Sequence, residues 1–139
     1  MTQLVLDDHL SIPRILPALQ KWITAEYLHD LRPEERILDD RVPQILLTLR
    51  QPTFVTIDRD FWHPRWCHPE YCILYFALED DDQPLIPDLL RALFRYPEFH
   101  SRAARIGKLA RVSTTTIAYW EYPVHEVKHM VWPKKRRKR

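Results

Sequence analysis

The chain has 139 residues and a formal net charge of +2. That length suits one compact domain, and five Trp within a 45% hydrophobic composition exclude a disordered chain. A single glycine, Gly107, excludes glycine-rich phosphate loops and dinucleotide fingerprints, and two cysteines exclude a disulfide scaffold.

The charge is uneven. The last six residues, Lys134, Lys135, Arg136, Arg137, Lys138 and Arg139, are all basic; taking them from a formal +2 leaves residues 1–133 at −4. The expected organisation is a domain over 1–133 with a disordered basic tail at 134–139. Such a tail solubilises, and it can also hold a polyanion by releasing counterions from phosphates. No apolar run is long enough to cross a bilayer and the N-terminus lacks a signal-peptide pattern. The expectation is a cytoplasmic protein with no membrane partner.

In chain order, residues 3–7 predict a first strand ending in Asp7 and Asp8. Ser11-Ile12-Pro13 suits a helix start, and Ile12, Ile15, Leu16, Leu19 and Ile23 follow at helical spacing, with Pro17 an awkward guest. A short strand is expected within 23–28 and a polar loop over 31–36. Asp39-Asp40-Arg41-Val42-Pro43 predicts a second helix start, with Val42, Ile45, Leu46 and Leu49 as its apolar stripe. Residues 53–58 form a buried, β-branched run that ends in Asp58 and Asp60. An aromatic, His- and Pro-rich loop follows over 61–71, then a continuous apolar strand from Cys72 to Leu78. Ile86 to Tyr96 predicts an amphipathic helix, 98–107 a further helix, and Arg111 to Trp120 one late strand. Strands alternating with helices imply an α/β fold, a three-layer α/β/α sandwich around a mostly parallel sheet.

Three groups of residues suggest chemistry. The first is the acid set. Asp7 and Asp8 end one strand, Asp58 and Asp60 end another, and Asp39 and Asp40 open a helix. In open parallel sheets, sites form outside the C-terminal ends of the strands. Acids gathered there suit Mg2+ or Mn2+, which take oxygen ligands and keep several waters. Asp is also a favoured helix cap, which alone explains Asp39 or Asp40. The second group is His63, Cys67, His68 and Cys72, a loose set for structural Zn2+. Trp62 and Trp66 in the same loop can stack on bases or serve as core and lid residues. The third is His125-Glu126-Val127-Lys128-His129, which matches H-E-x-x-H and would make a zinc metalloprotease if helical. No third ligand follows it.

Two motifs carry a family resemblance. Leu4-Val5-Leu6-Asp7-Asp8-His9-Leu10, then Asp40 before a helix, then Phe54-Val55-Thr56-Ile57-Asp58-Arg59-Asp60-Phe61, resemble the "LLDENLP" and "VLVTxDxDF" motifs of a compact PIN-like group. The resemblance covers roughly the first eighty residues. It implies a small PIN-like domain whose clustered acids bind Mg2+ or Mn2+ and cut RNA, related to the toxin halves of bacterial toxin–antitoxin pairs of the VapC type. The acids it assigns are Asp7, Asp8, Asp58 and Asp60, with Asp40 as the intermediate acid and Asp39 its rival. Where the family has Asn, this chain has His9.

The expected function is a metal-dependent ribonuclease, with Arg59 and Lys134 to Arg139 on the RNA backbone and an antitoxin as a protein partner. The alternative is a non-catalytic nucleic-acid-binding or regulatory protein on the same fold. A homodimer is expected only if the apolar face of the 86–96 helix is uncovered.

Overall fold

A computed structural model of the chain describes residues 3–123 and 126–133. The basic run 134–139 and His125 lie outside the described residues. Seven strands form one sheet: β1 (Leu4–Leu6), β2 (Ala25–Tyr27), β3 (Thr53–Thr56), β4 (Cys72–Phe76), β5 (Lys108–Val112), β6 (Thr116–Glu121) and β7 (Lys128–Val131), in spatial order β2-β1-β3-β4-β5-β6-β7. The first five are mutually parallel, and β6 and β7 add as antiparallel strands. The helices are α1 (Ile12–Gln20), α2 (Leu28–Leu31), α3 (Val42–Leu46), α4 (Ile86–Leu93) and α5 (Arg102–Arg105).

The central strands are apolar on both faces because both faces are covered. Leu4, Leu6, Val55, Leu74 and Phe76 join Ile15 and Leu19 of α1 and Ile86, Leu90 and Leu93 of α4 in one cluster. Val5, Phe54 and Ile73, their neighbours along the strands, join Leu28, Val42, Ile45 and Leu46 in a second. That alternation is the two-residue period of a strand seen from both sides.

Helix α1 therefore lies with one cluster and α2 and α3 with the other. The chain leaves β1 for β2 through α1 and returns past β1 to β3 through α2 and α3. The connections diverge at β1 and β3, which makes their C-terminal edge a topological switch point, where open α/β sheets form crevices.

Several boundaries differ from expectation. Ser11 precedes α1, but its hydroxyl makes no capping bond; its backbone N–H donates to Gln83 Oε1 at 2.7 Å. The 98–107 segment holds only the short α5, started by the Ser101 hydroxyl accepting from the Ala104 N–H at 3.0 Å. Gly107 ends it with a φ of 86°, a left-handed conformation in which a side chain is strained. The single late strand is in fact the β5–β6 hairpin. Its turn closes on Ser113, whose Oγ accepts from the Thr116 N–H at 2.9 Å.

His129 lies on β7, so the helical H-E-x-x-H geometry is absent from that half of the motif. On α4, Ile86, Leu90 and Leu93 are fully buried within the chain, so the face suggested for dimerisation is already covered. No helix among the described residues is long and apolar enough to cross a membrane.

Candidate metal centre and cleft

Asp7 directly follows β1 and is only 5% exposed. Its backbone continues the ladder, with the Asp7 N–H donating to the Val55 carbonyl at 2.9 Å. One side-chain oxygen accepts from the Thr56 hydroxyl at 2.6 Å. Burial is the chief influence on this carboxyl and pushes its pKa above the ordinary range, against the lowering effect of the Thr56 hydrogen bond. Asp8 turns elsewhere: its Oδ1 accepts from the His29 N–H at 2.9 Å, satisfying a free donor in the first turn of α2.

Strand β3 ends at Thr56, which is fully buried. Its hydroxyl oxygen also accepts from the Asp58 N–H at 3.0 Å. Asp58 in turn caps a 3-10 turn, Arg59–Phe61, by accepting from the Asp60 N–H at 2.9 Å. Phe61 anchors that turn in the core, edge-on to Phe54 with ring centroids 5.2 Å apart and 5.0 Å from Trp66. The Trp66 indole N–H donates to the Asp60 carbonyl at 3.0 Å. The two acids of the D-x-D motif are thus fixed by the Thr56 hydroxyl at the Asp58 end of a short turn and by the buried Phe61 and Trp66 at the Asp60 end.

Asp39 and Asp40 open a second 3-10 turn, Asp39–Arg41, immediately before α3. Arg41 steadies it through a 2.7 Å bridge to Glu35 and a 2.9 Å bond to Gln44. The two carboxylates diverge. Asp39 offers an oxygen within 4.8 Å of those of Asp58 and Asp60, and among the described residues this is the only group of three metal-ligating side chains so gathered. Asp40, the residue favoured by the motif, is not in the group; nor are Asp7 and Asp8. Asp39 is the member that sequence reasoning placed second.

Three carboxylates this close repel one another. Partial burial, and then the charges of Asp58 and Asp60, push the Asp39 pKa above the ordinary carboxylate range. A hard divalent cation relieves that repulsion, and the donor set consists only of oxygens, so the residues fit Mg2+ or Mn2+.

Two of the three acids border an open cleft of about 1070 Å³, whose lining includes Asp39, Asp40 and Asp60 together with Arg36, Arg59 and Arg65. His9 and Trp62 also face it. Trp62 packs on Trp120 of β6 with centroids 4.2 Å apart, and the Arg111 guanidinium lies 5.4 Å from its ring.

The His/Cys set does not converge. His63 Nδ1 accepts from the Arg65 N–H at 3.1 Å and His68 Nδ1 from the Glu70 N–H at 3.0 Å. Cys67 donates to the Gly107 carbonyl at 3.2 Å, while Cys72 is fully buried at the start of β4. Burial pushes both thiols up, Cys67 to about 11 and Cys72 to about 12, away from thiolate chemistry.

No family model, curated protein or solved structure matches the chain.

Proposed function

We propose that this chain is a PIN-like, Mg2+- or Mn2+-dependent ribonuclease on a three-layer α/β/α sandwich. The observation that carries the reading is the convergence of Asp39, Asp58 and Asp60 at the C-terminal edge of a parallel sheet, with Asp39 and Asp60 lining an arginine-lined cleft. Asp58 and Asp60 come from the more specific of the two PIN-like motifs, and Asp39 supplies the intermediate acid in place of Asp40.

In this reading Asp39, Asp58 and Asp60 hold the ion, which supplies charge to polarise a phosphodiester and lowers the pKa of water. Thr56 orients the D-x-D turn from below. Asp7 accepts the Thr56 hydroxyl bond and is linked through it to the Asp58 N–H. Arg59, beside them in sequence and in the cleft, takes the RNA backbone, and Lys134 to Arg139 add phosphate contacts. The resemblance to VapC-type proteins supports a toxin role opposite an antitoxin that covers the cleft.

The test is cleavage of RNA by the purified chain with Mg2+ or Mn2+ against the same reaction in EDTA. Asp58→Asn should abolish the divalent-dependent products. RNA binding without products at any divalent concentration would favour the non-catalytic nucleic-acid-binding protein instead.

A further inference from the structure

The geometry points to a metal-independent phosphate-binding wall, Arg36, Arg59 and Arg65, that holds the backbone of a single-stranded polynucleotide across the cleft. The wall rests on the proposed function only in taking nucleic acid as its ligand.

All three arginines are exposed, and all three line the cleft that Asp39 and Asp60 border. Their state is unusual for such a neighbourhood. Among the described residues none of the three forms an ion pair, although Asp39, Asp40 and Asp60 line the same cleft. Arg41, which lies close in sequence, shows the contrasting outcome, with its guanidinium held by Glu35 at 2.7 Å. Arg65 has instead an aromatic support, its guanidinium carbon 4.7 Å from the Trp66 ring centroid. The guanidinium forks are therefore left to ligands that meet them bidentately, and phosphate is the group whose geometry matches.

The spacing of elements favours a chain of phosphates over one. Arg36 precedes the Asp39–Arg41 turn, while Arg59 and Arg65 follow β3. The arginines thus approach the acid group from both connections that meet at the switch point. A ligand touching all three spans the cleft that Asp39, Asp40 and Asp60 also line. The cleft volume is that of a small-molecule site. That size suits a few nucleotides of one strand better than a duplex, whose recognition would need a surface spanning its grooves. The wall also locates binding in the fold and makes the basic run 134–139 an accessory.

The experiment is fluorescence anisotropy of a labelled ten-nucleotide single-stranded RNA with the full chain in EDTA, at several salt concentrations. Arg36→Gln/Arg59→Gln/Arg65→Gln should weaken binding about tenfold or more and flatten the log K against log salt slope by about 2, at about 0.7 per lost contact. Replacing Lys134 to Arg139 by Gln should cost less than the triple variant. Neutralising the acids, with Asp39→Asn/Asp58→Asn/Asp60→Asn, should tighten binding in EDTA, because a strand crossing them is repelled when no cation is present. A mononucleotide, a duplex of the same length and a poly-glutamate peptide of equal charge should each compete poorly.

A triple arginine variant that is folded by circular dichroism and binds like the parent would overturn the wall. So would equal competition by duplex or poly-glutamate, or an acid variant with unchanged affinity. EDTA removes divalent chemistry from every arm, so loss of the metal reading leaves this test intact. Binding that fails here while divalent-dependent cleavage persists would remove the wall alone.

Discussion

The Thr56 hydroxyl donates to Asp7 at 2.6 Å and accepts from the Asp58 N–H at 3.0 Å, joining the ends of β1 and β3 through one buried atom. Thr56→Val keeps the shape and removes both bonds. It leaves a buried carboxylate oxygen and a backbone N–H unpaired, which costs about 1–3 kcal/mol. Thr56→Ser restores the hydroxyl and should recover most of the loss. Denaturant unfolding of the two variants measures the difference, and equal stabilities would show that the link is not made.

Asp7 gives a pH dependence whose sign follows from its burial. Its folded-state pKa lies above the ordinary carboxylate value. In the unfolded chain the group ionises near pH 4 (about 3.9). As pH rises from there through the folded pKa, the native state binds more protons than the unfolded state, so this group's contribution to stability falls. Asp7→Asn should therefore be equal to the parent in strong acid and more thermostable at neutral pH. Melting curves across that range check it; a variant less stable at pH 7 would mean that the ionised carboxylate is a net stabiliser.

Asp39 and Asp40 should separate in a Mn2+ titration. Asp39→Asn should weaken binding on the order of tenfold to a hundredfold, the scale of a lost supporting interaction at a metal site. Asp40→Asn should leave affinity within about twofold, because Asp40 is outside the converging group.

The reason Asp39 was hard to choose lies in its turn. A 3-10 turn has three residues per revolution, so adjacent side chains point about 120° apart. Only one of two consecutive acids can face the end of β3, and a motif match cannot tell which. The runs ending at Asp7 and Asp58 were legible because central parallel strands are apolar on both sides and each run stops at a carboxylate. The hairpin after Arg111 was not. Ser113, Thr114 and Thr115 carry no glycine, proline or asparagine signal, and Thr favours strands. The turn forms through the Ser113 hydroxyl, a bond with no periodic trace in sequence. The helices after Ser11 and Leu38 were visible from their prolines, which suit a first turn. The helix expected over 98–107 was expected too long: only Arg102–Arg105 is helical, and Arg105 is buried there with its guanidinium donating to the backbone carbonyls of Phe99 and His100.

Phe61 should be the side chain on which the D-x-D turn depends. It is 1% exposed and sits between Phe54 and Trp66. Phe61→Ala should cost about 3–5 kcal/mol, as large-to-small changes in a core do. Phe61→Leu retains most of the apolar volume and should cost less. Divalent affinity measured on the folded fraction of each variant should fall in the same order, since the turn carries both Asp58 and Asp60.

The most direct measurement is RNA cleavage by the purified chain across a Mn2+ titration, run beside Asp39→Asn, Asp58→Asn, Asp60→Asn and Asp40→Asn. The account predicts divalent-dependent products from the parent and from Asp40→Asn, and none from the other three. Equal cleavage by the parent and Asp58→Asn, or products that persist in EDTA, would contradict it.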